Sequence, residues 1–304
     1  MVKSFLNQTI NSLFKIFIEV CIPNKRIRRI VKGDYAKNYL KKYVKIVQQK
    51  KSVAQPEPHP APEIIWQYWE QGLENAPSLV KTCFDSVEKF SDGRERVIIT
   101  PRNMENYVEI PGFIYDLKNK GVIKLAHFSD ILRTHLLTEH GGTWVDATVL
   151  FTDKMPEYIT NSDLFVFQND PKADLDGLNM ASYFIHSKPH HKILEDTKEV
   201  LHEYWRDNRF LVNYFMFLHA FTMVTSSCDE NKKLWQNVPF FSFFPVQQMQ
   251  NELLNKYSKE RFEELKQMSS IHKLTHKMKV LSKSKNIDFT GTLYEKLIGG
   301  DYEK

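Results

Sequence analysis

Apolar and polar positions alternate along this chain at two periods, and the sharpest change of period falls between Lys124 and Leu150. Leu125, Phe128, Ile131, Leu132 and Leu136 recur every three or four residues, the spacing of a helix with one buried face. Gly141 and Gly142 follow where such a helix needs a left-handed stop. Thr143 to Val149 then alternates, with Val145, Ala147 and Val149 on one face and Trp144, Asp146 and Thr148 on the other, as a short strand requires. This helix, turn and strand present Asp130 and Arg133 three apart on one helical face and bring Asp146 to the strand's end.

The same periods organise the flanking sequence. Ile64 to Trp69 is aromatic and β-branched and predicts a strand. Asn75 is placed to cap a helix begun by Ala76, Pro77 and Ser78, whose buried face is Leu79, Val80, Cys83, Phe84 and Val87. Arg96 to Thr100 predicts a second strand. Strand, helix, strand is the pattern of a right-handed parallel unit, whose ligand crevice lies beyond the carboxyl ends of its strands, where Trp69 and Gln71 fall. Further on, Leu164 to Gln168 and Asn179 to His186 predict strands, and Pro189 to Trp205 and Phe210 to Met223 predict helices that read as core.

Before Ile64 the pattern changes. Leu6, Ile10, Leu13, Phe14, Phe17 and Cys21 form an apolar stripe at helical spacing, flanked by Lys3 and Lys15 and followed by Lys25 to Arg29. Ile10 to Ile22 is interrupted by Asn11, Lys15 and Glu19 and is too short to cross a bilayer, which takes about 20 apolar residues. No small-residue cleavage site follows it. Residues 37–51, also basic, read as a solvated helix. Residues 52–63, with prolines at 56, 58, 60 and 62, read as a stiff linker. The chain thus divides into a basic helical segment (1–51), a linker (52–63) and a body (64–304).

Charge sharpens that division. The net charge of the 304 residues is +5, yet residues 1–51 carry 13 Lys and Arg against only Glu19 and Asp34, a local +11, which leaves the remainder at −6. An acidic body with a basic tail points the tail alone at an anionic partner. The apolar stripe favours an anionic membrane surface, a peripheral place at the cytoplasmic face of the cell membrane, over packing on the body or contact with nucleic acid. Cys21, Cys83 and Cys228 lack a Cys-x-x-Cys spacing, so neither a disulfide framework nor a zinc site is indicated. Hydrophobic residues at 42% fit a large soluble core.

Taken singly, Asp130 and Arg133 would be a surface ion pair worth about 0–1 kcal/mol. Asp146, flanked by Val145 and Ala147, would cost free energy if buried without a cation or donor, so the three together read as a site. Trp69, at a strand end, offers a flat face for a nucleobase. In the late run SSIHKLTHK, His272 with Lys273 or His276 with Lys277 offers a metal-ligating imidazole and a phosphate counter-charge; a solvated basic helix is the plain alternative, and His272 with Lys273 is favoured.

The segments IIWQYWEQG (64–72), FSDILR (128–133) and GGTWVDAT (141–148) resemble the bacterial capsular polysaccharide synthesis proteins. These are similar to the sugar transferases that include the initiation-specific mannosyltransferases, and the resemblance runs from about Ile64 to about Lys277. It implies a GT-A-like α/β fold, a mixed and mainly parallel sheet flanked by helices, here with a basic helical N-terminal extension. It also implies a hexosyltransferase that uses a nucleotide sugar, UDP-linked, with retention, on a lipid-linked capsular or exopolysaccharide glycan. Trp69 is then the base-stacking residue, with Gln71 beside it, and Asp130 and Arg133 lie on the donor sugar and phosphate side. Asp146 is the first acid of an Asp-x-Asp signature that positions Mn²⁺ or Mg²⁺ on the diphosphate. The second acid is replaced by Thr148, which leaves one carboxylate and one hydroxyl, with His272 as a further ligand and Lys273 on the phosphates. That replacement keeps open a second possibility, a sugar-nucleotide or glycan binding protein without turnover. A nucleic-acid binder led by the tail is disfavoured by the acidic body.

Overall fold

A computed structural model describes residues 2–50, 61–169, 177–278, 281 and 287–300. It has the expected mixed α/β architecture. One sheet holds β1 (Ile64–Tyr68), β2 (Glu95–Ile99), β3 (Gly142–Val145), β5 (Leu164–Val166) and β6 (Phe184–Ser187), in the spatial order β2-β1-β3-β6-β5. β1 pairs parallel with β2 and with β3, whereas β6 runs antiparallel to both its neighbours, so four strands point one way and β6 the other. A second sheet pairs β4 (Val149–Phe151) antiparallel with β7 (Ile271–Lys273).

The first predicted unit forms as read, with one change at its cap. α3 (Ser78–Lys89) buries Leu79, Val80, Cys83, Phe84 and Val87, adding Ser86. Its N-cap, however, is Pro77, and the Asn75 side chain instead donates to Gln71 O at 3.0 Å. α5 (Leu125–Glu139) ends as expected: His140 and Gly141 N–H groups donate to Leu136 O and Leu137 O, and Gly141 takes φ 72°. A side chain at Gly141 would meet Pro189 and the Ser187 carbonyl at under 3 Å, so glycine answers both the turn and the close approach.

Two expectations for this stretch are corrected. α5 is buried nearly all round between His127 and Thr138, while Leu125, placed on its buried face, is 43% exposed at the helix start. Thr143 to Val149 is not one alternating strand: β3 is buried on both faces because it is the sheet's middle strand, and the chain turns at Asp146, whose carbonyl accepts from Val149 N at 2.9 Å.

The helices covering the sheet include α4 (Gly112–Asn119), α6 (Glu157–Thr160), α7 (Lys192–Asp207), α8 (Met216–Val224), α9 (Asp229–Gln236), α10 (Phe244–Glu252), α11 (Lys259–Met268) and α12 (Leu293–Gly299). The N-terminal α1 (Val2–Cys21) and α2 (Lys25–Gln49) precede them. α2 overturns the solvated-helix reading of residues 37–51. Ala36, Leu40, Tyr43, Val44 and Val47 are buried in the main core against α7 and α8, each large side chain contributing roughly 1.5–3 kcal/mol. Tyr43 donates to the Asp207 carboxylate at 3.3 Å, and Asn208 Nδ2 donates to the Tyr43 hydroxyl at 2.5 Å. α1 lies further out. Leu6, Ile10, Leu13, Ile16, Phe17 and Val20 are 49–75% exposed, and Asn11, Lys15 and Ile18 face inward. Of the linker only residues 61–63 are described; 52–60 lie outside the described residues.

Candidate active site

The parallel pairing of β1 with β3 sets Ile65 against Thr143 and Trp66 against Trp144, which carries Trp69 and Asp146 to adjacent positions beyond the carboxyl ends of two neighbouring strands. That is the crevice edge of an open parallel unit. β7 closes it from the other side: Val149 pairs with Lys273, and Leu274 N donates to Thr148 O at 2.8 Å. Three segments far apart in sequence thus meet around Asp146.

Asp146 is held by cations and donors on every side. Lys273 Nζ lies 3.1 Å from Oδ2, Arg133 Nη2 lies 3.2 Å from Oδ1, and Trp144 Nε1 donates to Oδ1 at 2.9 Å. Burial alone would raise this carboxyl; Lys273, Arg133 and the Trp144 N–H outweigh it and hold it at about 2. Lys273 Nζ also donates to Thr148 Oγ1 at 2.7 Å.

Arg133 is the hub of the helical side. Its Nε donates to Ser129 O at 3.1 Å, Nη2 to Ser129 Oγ at 3.0 Å, and Nη1 to Ser182 O. The guanidinium sits 4.7 Å from the Trp144 ring centroid, a packed cation–π contact. Asp130 Oδ1 is 3.4 Å from Nη2, so Arg133 bridges the two acids as the i, i+3 spacing predicts. Asp130 Oδ2 lies 3.5 Å from His127 Nδ1, and His127 Nε2 accepts from Trp205 Nε1 at 3.0 Å. That bond fixes the proton on Nδ1 when the ring is neutral, on the side of the ring toward Asp130, although Nδ1 forms no hydrogen bond among the described residues.

Trp69 stands half-buried at the end of β1, with Ala147 packed in the same apolar cluster and the His276 ring edge-on at 5.9 Å. Its Nε1 is buried and has no hydrogen-bond partner among the described residues. Gln71 is exposed on the following turn, two residues beyond Trp69.

His272 is not brought to the cluster. Neighbours on a strand face opposite ways, so β7 delivers Lys273 to Asp146 and buries His272 on the other side, its Nε2 3.2 Å from Thr152 Oγ1. Burial holds the imidazole at about 3. The expected set of Asp146, Thr148 and His272 is therefore not assembled, and the donors present do not fit Mn²⁺ or Mg²⁺. The single carboxylate is already paired with two cations, and the Thr148 hydroxyl faces an ammonium that a divalent ion would have to displace. No group of three or more His, Cys, Asp or Glu side chains placed to hold a metal occurs among the described residues.

Sequence reasoning missed two contributors. His127 was legible, since His127, Asp130 and Arg133 step three by three along one face. Tyr183 was not: its hydroxyl is buried without a hydrogen-bond partner among the described residues, its ring lies 5.5 Å from Lys273, and burial together with the Asp146 charge pushes its ionisation up.

Comparison with known proteins follows that geometry. No curated protein matches the sequence. Among solved structures the chain is similar to the PaToxG glycosyltransferase, with 13% identity, 91% of this chain and 95% of that chain covered, and a TM-score of 0.42. The family model described as capsular polysaccharide synthesis protein matches residues 18–297. The chain belongs to the capsular polysaccharide synthesis protein family.

Proposed function

We propose that this protein is a GT-A-type glycosyltransferase that moves a hexose from a UDP-linked sugar to a growing, lipid-linked capsular or exopolysaccharide glycan, with retention. The family supports a role in capsule synthesis, and one observation carries the chemistry: Lys273 and Arg133 flank a single ionised acid at the carboxyl edge of the sheet, beside an aromatic with an unbonded Nε1. Two cations fixed in a partly dry site suit a leaving group that gains negative charge, because preorganised charge stabilises the transition state without reorganisation.

In this reading the base stacks on Trp69, near Gln71. Lys273 and Arg133 face the diphosphate, and Asp130, with His127 behind it, accepts hydrogen bonds from donor-sugar hydroxyls. Lys273 takes the part that the resemblance assigned to Mn²⁺ or Mg²⁺. Transfer on the front face then depends on positioning more than on a dedicated base. In the same reading the exposed stripe of α1 supports a place on the anionic inner surface of the cell membrane, beside a lipid-linked acceptor; no described helix is long and apolar enough to cross a membrane.

The test is UDP release by the full chain from a panel of UDP-hexoses, with Asp146→Ala alongside. Release from one donor, abolished in the variant, is the expected result. Nucleotide binding without release from any donor, even with membrane extract supplied as acceptor, would establish a binding protein instead.

A further inference from the structure

A second cavity, of about 510 Å³, lies between α1, α2 and the segment leading into α8, a size within the roughly 300–1,000 Å³ typical of ligand sites. Lys15, Lys25, Arg28, Arg29 and Lys32 line it, against Glu19 alone. That carboxylate is shared by Arg28 and Lys32, so among the described lining residues cations outnumber acids. Like charges gathered this closely repel one another, and Lys15 registers it: burial and then Lys32 lower the ammonium's pKa. An anion in the cavity would relieve that repulsion.

The cavity is also built rather than incidental. Phe14 stacks on Tyr35 with centroids 4.1 Å apart, Lys15 Nζ donates to Leu211 O at 2.9 Å, and Asn213 Nδ2 donates to Lys32 O at 3.1 Å, fixing both helices to the body. His219, from α8, lines it while only 1% exposed, and its Nδ1 has no hydrogen-bond partner among the described residues. A buried, unpaired ring nitrogen in a cationic wall is a polar group left for a ligand.

We propose that this cavity binds the phosphate of an anionic phospholipid headgroup. Guanidinium and ammonium groups match phosphate oxygens by fork and by point charge, and Phe14, Tyr35 and Phe215 give an apolar wall for the glycerol carbons. The lipid source follows from α1. The helix that contributes Phe14, Lys15 and Glu19 to the wall turns Leu13, Ile16, Phe17 and Val20 outward, so a membrane that takes the stripe brings its headgroups to the cavity. The inference rests on the membrane-facing part of the proposed function and extends it from a surface to a site.

The test uses the full chain in three forms: wild type, Lys25→Gln with Arg29→Gln, and Leu13→Ser with Phe17→Ser. All four substituted side chains are exposed, so folding is expected to survive and is checked by circular dichroism. Each form is titrated calorimetrically with glycerol 3-phosphate and inorganic phosphate, and co-sedimented with phosphatidylcholine vesicles with or without phosphatidylglycerol. The expected result is saturable glycerol 3-phosphate binding, weakened at least tenfold by the cation substitutions and unchanged by the stripe substitutions, which instead release the protein from anionic vesicles. Absence of saturable binding, with wild-type sedimentation intact, overturns the site and leaves the membrane reading standing. Inorganic phosphate binding as tightly as glycerol 3-phosphate overturns the lipid source, as does a wild type that binds glycerol 3-phosphate but no vesicle.

Discussion

The Lys273 ammonium lies 3.1 Å from the Asp146 carboxylate across 127 residues of sequence, joining β7 to the turn after β3. The same Nζ reaches Thr148 where an Asp-x-Asp signature would carry its second acid. A hydroxyl at that position and a lysine opposite it are complementary. One carboxylate tethers two cations, Lys273 and Arg133, at the mouth of the crevice, and in the proposed reading their charge does the work of a metal on the diphosphate oxygens.

Turnover is therefore expected to persist in EDTA, and Lys273→Ala to lower kcat on the order of 10²-fold, the usual loss when one preorganised charge-stabilising group is removed. UDP release from the preferred donor, with and without EDTA and Mn²⁺, measures both. Mn²⁺-dependent wild-type turnover that Lys273→Ala leaves untouched would return the metal to Asp146.

Trp69→Ala is expected to raise the donor KM roughly tenfold or more, since stacking on a base contributes about 1–3 kcal/mol, while leaving kcat nearly unchanged. Trp69→Phe restores most of the loss because a flat ring remains. A fall in kcat alone would place Trp69 in the reaction rather than under the base.

The strand–helix–strand opening and the acidic centre were readable because both depend on local spacing. Leu79, Val80, Cys83, Phe84 and Val87 mark a buried face at period 3.6, and Asp130 and Arg133 meet because they are three apart. What failed depended on partners elsewhere. β3 lost its alternation because β1 and β6 cover both its edges and layers cover both faces. His272 and Lys273 were expected at the site together, and only the register with β4, Val149 to Lys273, shows that Lys273 alone of the two faces Asp146. In α2 the run of lysines masked Ala36, Leu40, Tyr43, Val44 and Val47, whose helical spacing was present throughout.

That stripe changes how the N-terminus will behave when trimmed. Removing residues 1–22 takes away α1, whose outer face is solvent-exposed, and is expected to leave a folded protein with weakened vesicle binding. Removing residues 1–49 strips one wall from the main core, and the loss of several large buried side chains is comparable to the whole ~5–15 kcal/mol stability of an ordinary domain, so this truncation is expected not to fold cooperatively. Thermal unfolding of the two truncations measures the difference; a cooperative transition in the shorter chain would make α2 a dispensable appendage.

Acid will unfold the protein in two windows, and the sign follows from the buried groups. His186, His191 and His219 are held at about 4 and His272 at about 3, with burial the chief cause in each. Each is neutral in the fold, whereas the unfolded chain takes up protons below about 6.5, so their stabilisation is complete above that pH and is lost as pH falls toward 4. The cost is on the order of 1–2 kcal/mol per histidine at pH 5. Asp146, held at about 2 against an ordinary 3.8, adds a loss of roughly 2 kcal/mol only as pH falls through that lower window. Urea midpoints at pH 7.5, 6.5, 5.5 and 4.5 are expected to fall steadily below 6.5. His135 and His276 are lowered by burial as well, so His191→Gln should flatten that slope by less than a quarter. Midpoints that stay level down to pH 4.5 would show that these rings take up protons inside the fold, and the packing around them would then have to open to water.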